Sequence, residues 1–168
     1  NASDIDGDYL SFSVFESNGM GNSLSGNVLT VTPPNNYNGE TSIGITVSDG
    51  EYSDSSYFNL TINPVNDAPA LTAVDDQSVE EGETFTYTLS SNDVDGDEII
   101  YNAVSDSNVV ISVDGSELNI FSADENFNGE ALVFVEVSDS EYTDSDIFTI
   151  TFTPVNDAPV LSEIEDKQ

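Results

Sequence analysis

Residues 133–159 read VFVEVSDSEYTDSDIFTITFTPVNDAP, and they carry the clearest indication of the fold. Apolar side chains occupy every second position in two parts of it: Val133, Val135 and Val137, then Phe148, Ile150 and Phe152. Alternation with a period of two is typical of a β-strand that buries one face. Valine, isoleucine, threonine and aromatic residues are also the types that half-buried strands favour. The stretch therefore predicts two β-strands followed by a proline-bounded segment.

The hexapeptide PVNDAP that ends this stretch occurs twice, at 64–69 and at 154–159, a spacing of 90 residues. At that spacing, 19 of the 34 positions in 36–69 are identical to those in 126–159. Self-similarity at a fixed period is the signature of tandem structural repeats.

Aligning the two copies divides the chain into three segments. Residues 70–159 form a complete repeat with a linker at its end, 154–159. Residues 1–69 form a repeat that lacks its first strands and ends in the linker 64–69, and residues 160–168 match the start of a further repeat. We therefore expect the chain to be a window onto a longer tandem array.

A complete repeat carries about seven strands and no helical periodicity. Shorter strands are expected around Ile99–Ala103, Val109–Val113 and Leu118–Phe121, between turns rich in Gly, Asn, Asp and Ser. Seven short strands in about 90–100 residues indicate an immunoglobulin-like sandwich. The predicted fold class is all-β, as tandem immunoglobulin-like β-sandwiches.

The missing first strands of residues 1–69 leave part of a core exposed and sheet edges unpaired. Two solutions are open. Either the parent protein contains these strands, or a neighbouring chain supplies a strand in their place.

The composition excludes several kinds of chemistry. The chain has 33 Asp and Glu residues against one basic residue, Lys167, and no His or Cys. Ser-His and Cys-His nucleophiles and thiolate zinc sites are therefore excluded, and nucleic-acid binding lacks the cations it needs. The sequence contains no apolar run of about 18 residues, so it predicts no membrane-spanning helix. The chain is rich in hard oxygen ligands, which Ca²⁺ prefers.

The motif DVDGD at 93–97 is a candidate site for such an ion, and it recurs 89 residues earlier as DIDGD at 4–8. Alternate residues of an extended segment point the same way, and glycine permits a sharp turn. The motif differs from an EF-hand loop, which has Glu at its twelfth position, where this chain has Val104. An acidic turn with Asx-type hydrogen bonds is the alternative.

Other carboxylates recur at matching positions. Asp67 lies between the linker prolines, and Asp139, like Asp49, follows a strand and so lies at one pole of a sandwich. We expect Asp67 and Asp139 to converge with Asp93 and Asp95 there. Carboxylates at this density repel one another, and a bound divalent cation relieves that repulsion.

SSNDVDGDEIIYNAV at 90–104 and the stretch 135–159 resemble the bacterial cadherin-like repeats that end in VNDAP. Such repeats occur in very large secreted or surface-anchored adhesins of Gram-negative, often marine, bacteria. The resemblance covers the whole chain in register, and it implies cadherin-like sandwiches with Ca²⁺ at the joints between successive repeats.

The resemblance also implies ligands, by matching position. One joint would use the set Asn66, Asp67, Asp93, Asp95, Asp97 and Asp139. The next joint would use Glu80 or Glu81 with Asp124, Asn156 and Asp157, and Asp4, Asp6, Asp8 and Asp49 would face an upstream linker. Asn126 stands where cadherins have a Glu, and Pro64 replaces the leading Asp of a linker that is also one residue shorter. We therefore expect one or two ions per joint rather than three.

The resulting hypothesis is a calcium-rigidified extender of an extracellular adhesin or surface fibre, secreted or on the cell surface, that mediates cell-surface or biofilm adhesion. Its expected partners are neighbouring repeats, surface polysaccharide or other cells. A non-enzymatic role is expected because the acidic motifs occur in both copies, as structural repeats do. The alternatives are a carbohydrate-binding accessory module of a secreted polysaccharide-degrading enzyme and a filament subunit completed by strand exchange.

Overall fold

The computed structural model describes residues 2–16, 19–106 and 109–163. These residues contain fourteen β-strands and no helix, so the all-β prediction is confirmed. The chain divides into two compact units, Asn1–Asn66 (unit 1) and Asp67–Gln168 (unit 2). The predicted repeat boundaries stay predictions, and the last five residues of the expected further repeat lie outside the described residues.

Unit 1 has two small antiparallel sheets. Its strands are β1 (Ser11–Glu16), β2 (Gly21–Ser25), β3 (Val28–Thr32), β4 (Gly39–Ser48) and β5 (Ser53–Ile62). One sheet has the order β1-β4-β5, and the other is the hairpin β2-β3.

Unit 2 repeats this arrangement and adds strands to it. Its strands are β6 (Ala70–Leu71), β7 (Gln77–Glu80), β8 (Phe85–Thr88), β9 (Ser91–Asn92), β10 (Ile100–Ser105), β11 (Val109–Asp114), β12 (Glu117–Ser122), β13 (Gly129–Ser138) and β14 (Thr143–Thr153). The sheets have the orders β10-β13-β14-β7 and β11-β12-β8, and β6 pairs with β9. All pairs are antiparallel except β14 with β7, which is parallel.

The core of unit 2 follows directly from the alternation in the sequence. Inward residues of β12, β13 and β14 from both sheets form one cluster, in which these side chains are at most 2 % exposed: Leu118, Ile120, Val133, Val135, Phe148, Ile150 and Phe152. Burying an apolar side chain of this size stabilises a fold by about 1.5–3 kcal/mol relative to leaving it in water. Seven strands of four or more residues surround this core, as the sequence predicts.

Each sheet of unit 1 has one edge strand fewer than its counterpart in unit 2. The missing strands are the equivalents of β7 and β8, which lie ahead of the region matched by unit 1. The consequence is an open core: Phe58 on β5 is 42 % exposed, whereas the matching Phe148 on β14 is 2 % exposed. The exposed core expected from the sequence is therefore present in unit 1.

Candidate functional site

The acidic loop between β9 and β10 is organised by one carboxylate. Oδ1 of Asp93 accepts hydrogen bonds from the backbone N–H groups of Asp95 at 2.9 Å, Gly96 at 2.7 Å and Asp97 at 3.2 Å. Gly96 has a φ of +78°, a conformation that glycine adopts without the steric cost of a Cβ. The Asx-type turn that the sequence left as an alternative is thus present, and it is compatible with a metal site because it uses only Oδ1.

The same loop brings three carboxylates close together. One carboxylate oxygen each from Asp93, Asp95 and Asp97 lie within 4.8 Å of one another. Oδ2 of Asp93 is buried and has no hydrogen-bond partner among the described residues. A buried carboxylate oxygen without a partner is costly, and like charges at this spacing raise the cost. A hard cation would satisfy the orphaned oxygen and offset the repulsion, so the donor set fits Ca²⁺.

The linker residue Asp67 contacts this loop. Its backbone N–H donates to Oδ2 of Asp95 at 2.7 Å, which fixes the start of unit 2 against its own acidic loop. Asn66 is the last residue of unit 1.

Asp139 lies in the turn after β13 and is 7 % exposed. Its Oδ1 accepts the backbone N–H groups of Glu141 at 2.7 Å and Tyr142 at 2.6 Å. Within residues 2–16, 19–106 and 109–163, the group formed by the 93–97 loop is the one set of three or more acidic side chains whose oxygens come this close together, and Asp139 is outside it.

Asp49 holds the equivalent turn in unit 1. Its Oδ1 accepts the N–H groups of Tyr52 at 2.6 Å and Glu51 at 2.7 Å. These backbone donors, that of Tyr52 first, lower the pKa of Asp49 below its ordinary value because they stabilise the charged carboxylate.

The first copy of the acidic motif has the same backbone geometry. Oδ1 of Asp4 accepts the N–H groups of Asp6 and Gly7 at 2.8 Å and of Asp8 at 3.1 Å. The carboxylates of Asp4, Asp6 and Asp8 do not form a group of the kind seen at 93–97, as far as the described part of the chain goes.

A second set of predicted ligands lies near the other linker, 154–159. Glu81 accepts the backbone N–H of Val155 at 2.7 Å through Oε1 and the side chain of Asn128 at 3.1 Å through Oε2. Glu80, the other residue that the resemblance offered, is an exposed member of β7. The contact with the linker therefore belongs to Glu81.

The remaining predicted ligands are exposed. Oδ1 of Asp124 accepts the N–H of Asn126 at 3.1 Å. The side-chain amide of Asn156 donates to the backbone carbonyl of Asp157 at 3.2 Å.

Sequence reasoning missed a set of structural carboxylates in unit 2. Asp144 and Asp146 of β14 accept the backbone N–H groups of Leu71 and Val74, each at 2.8 Å. Asp76 accepts the N–H of Thr149 at 2.7 Å. These bonds hold the first segment of the repeat on β14. One of them, Asp144, could have been noticed in the sequence, because the first copy also has Asp at the matching position, Asp54.

No helix in the described ranges has the length and apolar character needed to cross a bilayer.

Comparison with known proteins gives one curated relative and several solved structures of related fold. Chitinase A of Pseudoalteromonas piscicida is 32 % identical to this chain over 104 residues, which cover 60 % of this chain and 13 % of that protein. The chain thus spans only a small part of the relative it matches.

Two human protocadherin structures share the fold. The EC1-2 fragment of protocadherin-24, form II, has a TM-score of 0.58 at 13 % identity, and the match covers 95 % of this chain and 87 % of that fragment. The EC1-2 fragment of mucin-like protocadherin has a TM-score of 0.56 at 16 % identity, and the match covers 86 % of this chain and 85 % of that fragment.

Two family models match the chain in succession. A cadherin-like domain model matches residues 1–63, which confirms the cadherin-like resemblance. A bacterial Ig domain model matches residues 66–153, which is 88 of the 168 residues. Because the second match spans more than half of its length, the chain belongs to the bacterial Ig domain family.

Proposed function

We propose that this chain is a calcium-rigidified extender of an extracellular adhesin or surface fibre, secreted or held at the cell surface, with a role in cell-surface or biofilm adhesion. The observation that carries the proposal is the group of carboxylate oxygens from Asp93, Asp95 and Asp97 that lie within 4.8 Å of one another. In addition, Oδ2 of Asp93 is buried and has no hydrogen-bond partner among the described residues. Cadherin-like and bacterial Ig domains are typically non-catalytic, which is in keeping with a structural role.

Calcium is the cation that this site suits best. Ca²⁺ takes about 6–8 oxygen ligands in flexible geometry and binds extracellular modules at millimolar affinity. The loop residues Asp93, Asp95 and Asp97 would hold the ion, with Asn66, Asp67 and Asp139 as further ligands implied by the resemblance. When bound, the ion supplies positive charge that offsets the repulsion within the group.

The stiffening effect follows from the linker contact. The backbone of Asp67 is already bonded to the carboxylate of Asp95, so a cation that immobilises Asp95 also restricts the linker. Binding favours the ordered linker only by its differential affinity for that state, so the effect grows with calcium concentration. Neighbouring repeats of the same chain or filament are the proposed partners.

A parallel proposal concerns the other linker, 154–159. Glu81 already binds the N–H of Val155, and Asp124, Asn156 and Asp157 lie on exposed loops of the same unit. We propose Glu81 in place of Glu80 in this ligand set.

The test combines calcium titration by calorimetry with small-angle scattering in calcium and in chelator. We expect saturable binding and a larger radius of gyration in calcium than in chelator. The matched pair of variants is Asp93→Asn and Asp114→Asn, since both remove one charge but only Asp93 belongs to the group. Binding that is equal in these two variants, or binding without any change in scattering, would contradict the proposal.

A second function is favoured by the curated relative. Chitinase A is named as an enzyme of polysaccharide degradation, and 60 % of this chain matches part of it. The chain would then be an accessory module, and its exposed tyrosines would contact sugar: Tyr9 is 88 % exposed and Tyr52 is 73 % exposed. Retention on insoluble chitin that falls in a Tyr52→Ala variant, with Tyr142→Ala as the comparison, would support it. No retention by the full chain would exclude chitin as its ligand.

A further inference from the structure

A pair of exposed aromatic rings lies on the outer face of the sheet β1-β4-β5, on the side away from the core. The ring centroids of Phe15 and Tyr57 are 5.2 Å apart, and the planes of the two rings make an angle of 78°. Phe15 is 48 % exposed and Tyr57 is 57 % exposed. The two rings therefore meet edge to face, and about half of each side chain is open to solvent.

Gly44 makes room for this pair. Gly44 on β4 is the register partner of Tyr57 on β5. A Cβ on Gly44 would lie 2.6 Å from Cζ of Phe15, which is too short for any side chain. The ring of Phe15 thus rests directly on the backbone of β4, because residue 44 has no side chain to hold it away.

Unit 2 has an apolar row at the same place on its own sheet. The residues that match the ring pair and its glycine are Val104, Phe134 and Ile147. They are direct neighbours across β10, β13 and β14. Val104 and Ile147 are each 60 % exposed, although β7 is paired beside β14. This face is therefore open even where the additional edge strand is present, so the exposure of the ring pair does not follow from the strands that unit 1 lacks.

The strip of β4 and β5 that carries Tyr57 is uncharged. Four register pairs make up this neutral strip, all on the outer face: Ser42 with Asn59, Gly44 with Tyr57, Thr46 with Ser55, and Ser48 with Ser53. None of these eight described residues is a carboxylate, in a chain where 33 of 168 residues are acidic. The neutral strip is therefore an uncharged area on a strongly anionic molecule.

The neutral strip also offers hydrogen-bonding groups on both sides of the rings. Oγ1 of Thr46 and Oγ of Ser55 are 2.8 Å apart and hydrogen-bonded to each other. One of these hydroxyls uses its proton in this bond, so the other keeps its proton for a further acceptor. On the opposite side of Tyr57, the next residue of the strip on β5 is the exposed Asn59, whose amide both donates and accepts.

The charge of the chain decides which kind of partner suits this face. A net charge of −32 repels anionic polymers and a second copy of the chain. A cationic protein finds no carboxylate on the neutral strip with which to pair. A neutral sugar polymer fits both properties of the face, because a sugar ring presents C–H groups that pack on aromatic rings and hydroxyls that bond to polar side chains.

We infer that Phe15, Tyr57 and the neutral strip form a binding site for a neutral polysaccharide. A sugar ring packs on the two aromatic rings, and its hydroxyls bond to side chains of the strip such as Ser55 and Asn59. None of these residues belongs to the acidic loops. The inference rests on neither proposed function, although it shares a class of ligand with the second, and it places the sugar on the sheet rather than at Tyr52.

The test is native gel electrophoresis of the full chain through gels that contain one soluble polysaccharide each. The neutral probes are laminarin, galactomannan and hydroxyethylcellulose, and alginate is the anionic comparison. We expect at least one neutral probe to slow the chain and alginate to leave its mobility unchanged. Retardation by none of the neutral probes, or by alginate alone, would overturn the inference.

Variants of the ring pair locate the site. Phe15→Ala and Tyr57→Thr are each expected to weaken binding of the retarding probe by about tenfold, because each removes one aromatic contact. Threonine is a residue that strands favour, so the second variant preserves β5. Gly44→Ala is expected to have a similar effect, since it displaces the ring of Phe15. Tyr57→Phe retains the ring and should bind within about twofold of the native chain.

Tyr52→Ala separates this site from the one in the second proposed function. Tyr52 is 73 % exposed in the turn between β4 and β5, outside the neutral strip. Its loss should leave binding of the retarding probe unchanged. Binding that falls in Tyr52→Ala but not in Tyr57→Thr would overturn the inference and support that function. A mass that doubles with concentration in light scattering, and stays single in Tyr57→Thr, would assign the face to a second copy and also overturn it.

Discussion

Replacing Asp93 by Asn is expected to have opposite effects on stability with and without calcium. The amide oxygen of Asn can still accept the three backbone N–H groups that organise the loop. The substitution removes one of three negative charges and puts an N–H donor where the buried, unpartnered Oδ2 now lies. In chelator, repulsion is therefore relieved, whereas in calcium a ligand is lost.

The magnitudes follow from the spacing of the carboxylates. Two like charges 4.8 Å apart repel by about 1–3.5 kcal/mol for effective dielectric constants from ~80 down to ~20. Because Asp95 and Asp97 are exposed, the lower end applies, and Asp93→Asn in chelator should raise the stability of unit 2 by about 1 kcal/mol. For a domain of this size, this is a rise in Tm of about 4–8 °C.

Calcium acts in the opposite direction. At a calcium concentration 100-fold above its Kd, binding stabilises the native chain by about 2.7 kcal/mol, which raises Tm by about 10–20 °C. The variant should lose most of this gain, so that it melts above the native chain in chelator and below it in calcium.

The assay is calorimetric melting of the native chain and of Asp93→Asn, each in chelator and in calcium. Asp114→Asn, at the end of β11, removes the same charge outside the group, so its calcium-induced rise in Tm should differ little from that of the native chain. An equal calcium-induced rise in Tm for the native chain and Asp93→Asn would refute the assignment of the ion to this loop.

Three further predictions concern stability and the second linker. Because the pKa of Asp49 is lowered in the folded chain, its carboxylate stabilises unit 1 at pH values above its unfolded-state pKa, and this stabilisation is lost as pH falls through the folded-state pKa. The free energy of unfolding in urea should therefore decrease from neutral to acid pH, and Asp49→Asn should make this decrease smaller. Ile150→Ala should lower the free energy of unfolding in urea by about 3–5 kcal/mol, because Ile150 is fully buried. Leu60→Ala, at the matching but half-buried position of unit 1, should lower it by less than about 2 kcal/mol. Glu81→Ala removes the acceptor of the Val155 N–H, so limited proteolysis within 154–159 should become faster, and an unchanged cleavage rate would contradict the role given to Glu81.

Much of the fold was predictable because its information is local. The alternation around Val135 and Ile150 indicates strands without any knowledge of their partners, and DVDGD indicates its turn because Asp93 bonds to residues two to four positions ahead. Glu81 could not be separated from Glu80 in this way, because the choice depends on how β7 pairs with β14.

The structural carboxylates were missed for a similar reason. Asp144 and Asp146 read as polar positions of a half-exposed strand, which is what they are locally. Their partners are the backbone amides of Leu71 and Val74, which lie 73 and 72 residues away in the sequence. A backbone donor so far away in the sequence affects neither the composition nor the periodicity around the carboxylate. The presence of Asp54 at the position matching Asp144 was therefore the one indication of a role for Asp144.

The two copies of the acidic motif share the same turn but differ in how close their carboxylates lie. Asp4 and Asp93 form the same turn, so the turn is encoded by the five residues of the motif alone. Yet the close group of three carboxylates occurs at 93–97, where the N–H of Asp67 holds Oδ2 of Asp95. The close group at 93–97 thus occurs together with the contact from Asp67. A cation that bound this group more tightly when the Asp67 contact is formed would stabilise that contact, and by thermodynamic reciprocity the contact would strengthen cation binding equally.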